Sequence, residues 1–365
     1  MKPVKLGIIG TGVGATFAAQ GISTFSSEGL VEIVAVADVY EEGAKRFSEK
    51  WKIKSRYKDY REMLEKADVD AVSIHTPHYL HYPMTMDALK AGKHVLVDKP
   101  IAMNLKEADE MIKEAEKRGL NLGVIFPTRF DPIARKVKEA ADSGRFGKLV
   151  LGEALVKWYR DQDYYAKSSW RGRWATEGGG VLINQGVHHL DLLQWLVGKP
   201  VRLHGQVGTL LHNIEVEDIA EATILFENGA HGVVQLGTID APPTVRLEVL
   251  GDKGKITIEG NRIRRFTPEK PIKDYVSEGE AWGSPKVECE EIVVEGRGAG
   301  HKAIIEDFAR AVSEDREPMV PGEEGRVSIE IVNAIILSSF LGKAVDFPID
   351  RDEYDRLMER LRQGR

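Results

Sequence analysis

The chain has 365 residues, 42% apolar and 30% charged. At about 150 residues per domain it holds roughly two domains, each large enough to bury a core. Its 36 glycines and 15 prolines fall short of a low-complexity composition, and a net charge of −6 with both signs interspersed offers no basic field to nucleic acid or anionic lipid. The single cysteine, Cys289, excludes an internal disulfide and reads as an ordinary thiol in a reducing cytoplasm. No apolar run approaches the ~18 residues of a membrane span, so a cytoplasmic protein is expected.

From residue 4 onward, short apolar runs alternate with stretches of helical periodicity. Val4–Ile9, Ile33–Ala37, Ala71–Ile74, His94–Val97 and Leu122–Phe126 read as strands, with helices such as Tyr79–Ala91 and Leu105–Lys117 between them. This rhythm predicts a doubly wound parallel sheet over 1–125, covered on both faces. After Phe126 strands follow one another directly. Ala220–Phe226 and His231–Ile239 flank Glu227-Asn228-Gly229, and Val245–Leu250 and Lys255–Ile258 flank Gly251-Asp252-Lys253-Gly254. The segment 126–365 is therefore expected to be α+β, with a large, mostly antiparallel open sheet and closing helices near His301–Val312 and Val327–Phe340. Long strands between 201 and 258 would leave an apolar face unless copies pack together, so a homodimer or homotetramer is expected.

Gly10-Thr11-Gly12-Val13-Gly14-Ala15 follows the first strand and opens a helix, where a dinucleotide fingerprint belongs. Gly10 permits the tight turn, Gly12 admits a pyrophosphate, and Ala15 allows close helix–strand packing. The second strand ends in Asp38, somewhat beyond the ~20 residues the fingerprint expects. A carboxylate there accepts hydrogen bonds from ribose hydroxyls and repels a 2′-phosphate, so NAD is favoured over NADP, although Lys45 and Arg46 follow. The loop His75-Thr76-Pro77-His78-Tyr79-Leu80-His81 leaves a strand end. Its three histidines read as a cofactor-lining loop, with a metal site or a solvated cap as alternatives; no carboxylate or cysteine cluster completes a metal site. Asp98-Lys99-Pro100 puts a lysine at the mouth of an apolar strand, where it would serve a substrate oxygen or simply pair with Asp98 and end the strand.

Glu177-Gly178-Gly179-Gly180 leads into a helical run carrying Asn184, His188 and Asp191 at i, i+4 and i+7, on one face of an otherwise apolar element. His188 backed by Asp191 reads as an oriented general base or as a satisfied core histidine. His189, about 100° away, should face elsewhere. The loop Tyr159–Arg173, with Tyr159, Arg160, Tyr164, Tyr165, Trp170 and Arg173, suits stacking and hydrogen bonding to a pyranose, or is a solvated loop with core aromatics. Arg129 joins Tyr165, Arg173 and Asn184 as a candidate substrate ligand.

Together these residues resemble the Gfo/Idh/MocA family over essentially the whole chain: Gly10–Ala15, Asp38, the Thr76-Pro77-His78-x-x-His81 loop, Asp98-Lys99-Pro100, Trp170-Arg171 and the Gly178–Asp191 helix. The resemblance implies an α/β Rossmann domain joined to a C-terminal α/β substrate domain, and an NAD(P)-dependent oxidation or reduction of a carbinol on a sugar or cyclitol. It further implies that Lys99 contacts the reacting oxygen, that His188 carries the proton, and that Trp170 and Arg171 approach the nicotinamide. Cofactor contacts are expected from Gly10, Gly12, Val13, Gly14, Asp38, His75, Thr76, His78, His81, Asp98 and Lys99. An NAD-recycling glycoside hydrolase and a sugar-sensing regulator are the alternative readings. The chain departs from the family pattern at Asp98, usually glutamate, at His78, usually asparagine, and at Asn184, where inositol-type members carry aspartate.

Overall fold

The computed structural model describes residues 2–23, 29–260, 262–279, 282–293 and 300–364. It separates into two compact units, Met1–Phe130 with Ala175–Gly178 and Gly298–Ile329, and Asp131–Trp174 with Gly179–Arg297 and Glu330–Arg365. The division is not the single cut near residue 125 expected from the change of rhythm, because a late segment returns to the first unit.

That unit alternates β1 (Val4–Ile9), α1 (Val13–Ser23), β2 (Val31–Ala37), α2 (Glu41–Trp51), β3 (Ser55–Tyr57), α3 (Tyr60–Lys66), β4 (Ala71–Ile74), α4 (His81–Lys90), β5 (His94–Asp98), α5 (Leu105–Arg118) and β6 (Leu122–Ile125). The strands form one sheet in the order β3-β2-β1-β4-β5-β6, every pair parallel. Strands buried on both faces need continuous apolar runs, and all four residues of both β4 and β6 are buried. Helix α5 shows why the helices sit where they do. Asn104 caps its first turn through Glu107 N, Leu105, Ala108, Met111, Ile112 and Ala115 form its buried stripe, and Gly119 ends it at φ 64°. The three-residue edge strand β3 was not expected, being too short to show a period.

The second unit contains α6 (Pro132–Asp142), β7 (Leu149–Tyr159), α7 (Gln162–Ala166), α8 (Val187–Val197), β8 (Pro200–Gly208), β9 (Ile219–Phe226), β10 (His231–Gly237), β11 (Ile239–Gly251), β12 (Gly254–Glu259), β13 (Arg262–Pro268), α9 (Ile272–Glu278) and β14 (Val287–Val293). Its nine-stranded sheet runs β14-β13-β12-β11-β7-β10-β9-β8-β15, with β15 at Val345–Asp346. Among the described residues only the β7–β10 pair of this sheet is parallel. The alternating burial of β9 gives the sheet one covered face. Helix α8 lies close on it, since a Cβ on Gly152 would fall 2.6 Å from Val197 Cγ2 and 2.8 Å from Leu193 Cδ1.

The open face corrects the expectation of an apolar surface. At its centre the Arg246 guanidinium meets Glu248 at 2.5 Å and reaches toward Glu153 and Glu259, while Thr257 and Lys255 also contact Glu248. The middle of the sheet is a charged ladder, and Leu225 and Val233 contribute only partial exposure.

The chain closes with α10 (Gly300–Glu314), α11 (Gly322–Leu341) and α12 (Arg351–Arg362). The apolar stripe of α10, Ile304, Ile305 and Phe308, is buried, and a Cβ on Gly123 would lie 3.1 Å from the Phe308 ring. This packing on β6 brings the segment back to the first unit. Among the described residues no helix is long and apolar enough to cross a membrane.

Candidate active site

In the first unit the turn between β1 and α1 has the shape a phosphate needs. Gly10 lies at φ 87°, and a Cβ there would fall 2.4 Å from the His75 carbonyl oxygen, so only glycine is accommodated. A Cβ on Gly12 would meet nothing within 4 Å, and Val13 is 73% exposed, so the backbone stands open where an anion would approach the helix N-terminus. Gly14 has a different neighbour. Its Cβ would fall 2.5 Å from Asp98 Oδ2 and 3.0 Å from His75 Nδ1.

Asp38 closes the adjacent strand end. Its Oδ2 accepts from Thr11 N at 2.7 Å and Thr11 Oγ1 at 2.6 Å, and its Oδ1 accepts from Tyr40 N at 2.9 Å. A carboxylate offers about four acceptor positions. Asp38 therefore braces the fingerprint turn and keeps about one position for a ribose hydroxyl, fewer than the pair expected. These open and braced features fit a dinucleotide.

The three loop histidines diverge. His75 is buried, with Nδ1 3.2 Å from Asp98 Oδ2 and Nε2 2.8 Å from Ser73 Oγ. His78 is buried and donates from Nδ1 to the Glu177 carbonyl at 2.9 Å; burial first, then the Lys99 charge, push its pKa well down. His81 is fully buried, with Nδ1 2.7 Å from Pro100 O and Nε2 2.9 Å from Thr76 O. Both nitrogens would donate only in the imidazolium form, which burial opposes, and the pKa is lowered. His75 thus holds two side chains together and His78 and His81 hold backbone, in place of the cofactor lining expected of all three. Thr76 remains half-exposed beside them. Among the described residues no group of three or more His, Cys, Asp or Glu is placed to hold a metal ion.

Asp98 receives its own chain at Oδ1, from Lys99 N at 2.8 Å, and the Lys99–Pro100 peptide is cis. Burial alone would raise the Asp98 pKa, but the hydrogen bond from His75, with the Lys99 charge, holds it well below the usual carboxylate range. His301 on α10 stacks on Phe17 with ring centroids 5.2 Å apart, and its pKa is lowered first by burial, while Asp98 raises it and His75 lowers it. Sequence reasoning had no signal for His301, which arrives from the far end of the chain. Arg129, expected to touch substrate, is 1% exposed and bonds Glu324 at 2.8 Å. Its charge is spent inside the unit.

In the second unit the helix entry is wider than expected. Leu182–Gly186 is a π turn, and α8 begins only at Val187, so the 3.6-residue period does not carry through Asn184. Asn184 and His188 are half-buried and Asp191 is fully buried. His189 sits edge-on to Trp158 at 6.3 Å, and burial lowers its pKa to about 4. Buried Glu217 anchors the entry, accepting at Oε1 from Gly180 N at 2.7 Å and Leu182 N at 3.1 Å. Asp218, also buried, accepts from the backbone of Leu210, Leu211 and His212, and His212 Nε2 lies 2.8 Å from Arg160 O.

Tyr164 gathers the polar side chains here. Its hydroxyl receives Gln185 Nε2 at 3.2 Å and Asn184 Nδ2 at 3.4 Å. Arg171 lies over the Trp170 ring at 4.5 Å and the Tyr164 ring at 4.7 Å, bordering an open groove of about 620 Å³ also lined by Asp161, Lys167 and Ser168. Arg173 is exposed. Tyr165 is 5% exposed, its hydroxyl 3.2 Å from Thr238 Oγ1 and its ring against His212. It is a core residue, correcting its expected place among substrate ligands.

Comparison with known proteins gives two family matches: residues 4–126 to the oxidoreductase family with an NAD-binding Rossmann fold, and residues 134–257 to the GFO/IDH/MocA C-terminal domain. D-glucoside 3-dehydrogenase of Escherichia coli is 31% identical over 281 residues, 70% of this chain and 77% of that protein. Myo-inositol 2-dehydrogenase of Thermotoga maritima is 27% identical over 357 residues, covering 89% and 93%. The crystal structure of the WlbA dehydrogenase from Chromobacterium violaceum, in complex with NADH and UDP-GlcNAcA, superimposes with a TM-score of 0.84 at 26% identity, covering 96% of this chain and 97% of that one.

Proposed function

The chain belongs to the GFO/IDH/MocA oxidoreductase family, with its NAD-binding Rossmann fold, and from that premise we propose that it moves hydride between nicotinamide and a ring carbinol or ketone carbon of a sugar, sugar derivative or cyclitol. The observation that carries this is the glycine turn, open at Gly12 and braced by Asp38, in a chain that matches the family's C-terminal domain over 134–257. The relatives named for glucoside, inositol and nucleotide-sugar chemistry support a hydroxylated ring as substrate.

Bound at the turn, NAD supplies the hydride acceptor. Gly12, at the turn that Gly10 makes, admits its pyrophosphate to the α1 N-terminus, Asp38 takes a ribose hydroxyl and disfavours a 2′-phosphate, and Trp170 and Arg171 serve the nicotinamide side. The Lys99 ammonium steadies the substrate oxygen as it becomes alkoxide-like. His188 accepts the hydroxyl proton in oxidation and returns it in reduction. Asn184 cannot take a proton, so it orients a substrate hydroxyl, as does Arg173.

We further propose a cytoplasmic location, consistent with the lone cysteine, and a homodimer or homotetramer meeting through the charged ladder of the open sheet. A screen of free sugars, cyclitols and nucleotide sugars with NAD and NADP, followed by nicotinamide absorbance, tests the activity. Failure of every ring polyol with both cofactors overturns it. Light scattering that shows only monomer removes the assembly.

A further inference from the structure

Two buried groups below the glycine turn have no part in the mechanism above. Ser73 Oγ lies 2.8 Å from His75 Nε2, and His75 Nδ1 lies 3.2 Å from Asp98 Oδ2, while Asp98 Oδ1 accepts from Lys99 N at 2.8 Å. A hydroxyl can donate to Nε2 and leave Nδ1–H to donate to the carboxylate, so each contact is satisfied by a neutral ring. The His75 side chain is 1% exposed and that of Asp98 23%, so the row ends on a carboxylate at the edge of the turn. Gly14 borders that carboxylate so closely that no Cβ fits.

The sheet order gives this row its meaning. Asp38 ends β2, on one side of β1, and the open turn at Gly12 follows β1 itself. Beyond β1 the next strand ends are those of β4 and β5, which carry His75 and Asp98-Lys99. A dinucleotide laid across the carboxyl ends with its adenosine ribose on Asp38 extends its other half over those residues.

Resting on the proposed hydride transfer, we propose that His75 is a positioning residue: through Nδ1–H it fixes the Asp98 carboxylate against Gly14, and so fixes the peptide from which Lys99 reaches the reacting oxygen. A misplacement of about 1 Å at a reacting group costs on the order of 10²-fold in rate, so loss of this anchor should appear in kcat before it appears in cofactor affinity.

The test uses three substitutions of His75. Asn places its amide nitrogen where Nδ1 stands, and Gln reaches instead to the place of Nε2. His75→Ala and His75→Gln should lose roughly 10–100-fold in kcat, His75→Asn should stay within about threefold of the native enzyme, and the NADH dissociation constant, read by fluorescence, should move less than about threefold in all three. Gly14→Ala, which intrudes on the same carboxylate, should lose turnover similarly, and its combination with His75→Ala should lose less than the product of the two. Equal impairment of the Asn and Gln variants, or native turnover in both Ala and Gln, overturns the proposal. Nitrogen NMR of the histidine rings in the cofactor-free protein gives a readout independent of turnover. Nδ1–H on His75, shifting in Asp98→Ala, is the expected state, and an Nε2–H tautomer overturns the anchor. A native protein that binds no NADH would instead sink the proposed function, whatever the tautomer.

Discussion

Replacing Asp38 with alanine tests two claims at once, because the same carboxylate braces the turn and selects the cofactor. The substitution removes three hydrogen bonds, of 2.7, 2.6 and 2.9 Å, from Thr11 and Tyr40. Bonds to a charged group contribute about 1.5–3 kcal/mol each when buried, but Asp38 is half-exposed and water takes up the released donors. We expect a total of about 2–3 kcal/mol, which for a unit of this size lowers Tm by roughly 5–10 °C. Asp38→Asn keeps one acceptor oxygen without the charge, and should melt between the two. Thermal unfolding without cofactor reads the brace, and titration with NAD and NADP reads selection. The native protein should bind NAD more tightly, with the gap narrowed in both variants. An unchanged Tm in Asp38→Ala refutes the brace, and tighter NADP binding by the native protein refutes the selection.

Lys99→Met should lose about 10²–10³-fold in turnover while NADH still binds, by analogy with removal of one oxyanion donor; near-native turnover would return Lys99 to a strand-ending role. His188→Ala should lose about 10²–10⁴-fold, whereas His189→Ala should keep most activity, and the reverse outcome in steady-state kinetics would show that the wrong histidine was assigned. His189 also predicts a pH effect. Its pKa is about 4 when folded and ordinarily 6.5, so the unfolded chain binds the extra proton between those values, and stability falls as pH falls through that window. The full effect is at most about 3 kcal/mol. His189→Phe, which retains a ring against Trp158, should flatten this slope in denaturant titrations, and an unaltered slope would assign it elsewhere.

The fold was legible wherever burial imposes a period. Ala71–Ile74 and Val4–Ile9 have the bounds read from the sequence, because a strand covered on both faces is mostly apolar, with Lys5 and Ser73 the polar exceptions in these two. The glycine turn was legible for the same kind of reason, since Gly10 meets a backbone carbonyl that admits no Cβ. What escaped were partnerships across long separations. Arg129 and Glu324 are 195 residues apart, and nothing local marks the arginine as buried. His78 and His81 share the spacing of a ligand loop, but Glu177, Pro100 and Thr76 supply carbonyls that turn them inward. The π turn at Leu182–Gly186 escaped because a single widened turn leaves no mark on apolar periodicity, and Glu217, which holds its entry, comes 35 residues later.

Glu217 and Asp218 are neighbours in sequence whose carboxylates serve different backbone segments, one at Gly180 and Leu182, the other at Leu210, Leu211 and His212. The π turn that leads into the His188 helix therefore lacks a start of its own, the amides at its entry being held by a residue in the loop just before β9. It could not be transplanted to another scaffold as a contiguous segment. These five amides should also surrender their protons to solvent together, as one cooperative patch, because releasing the chain at Glu217-Asp218 frees both sets at once.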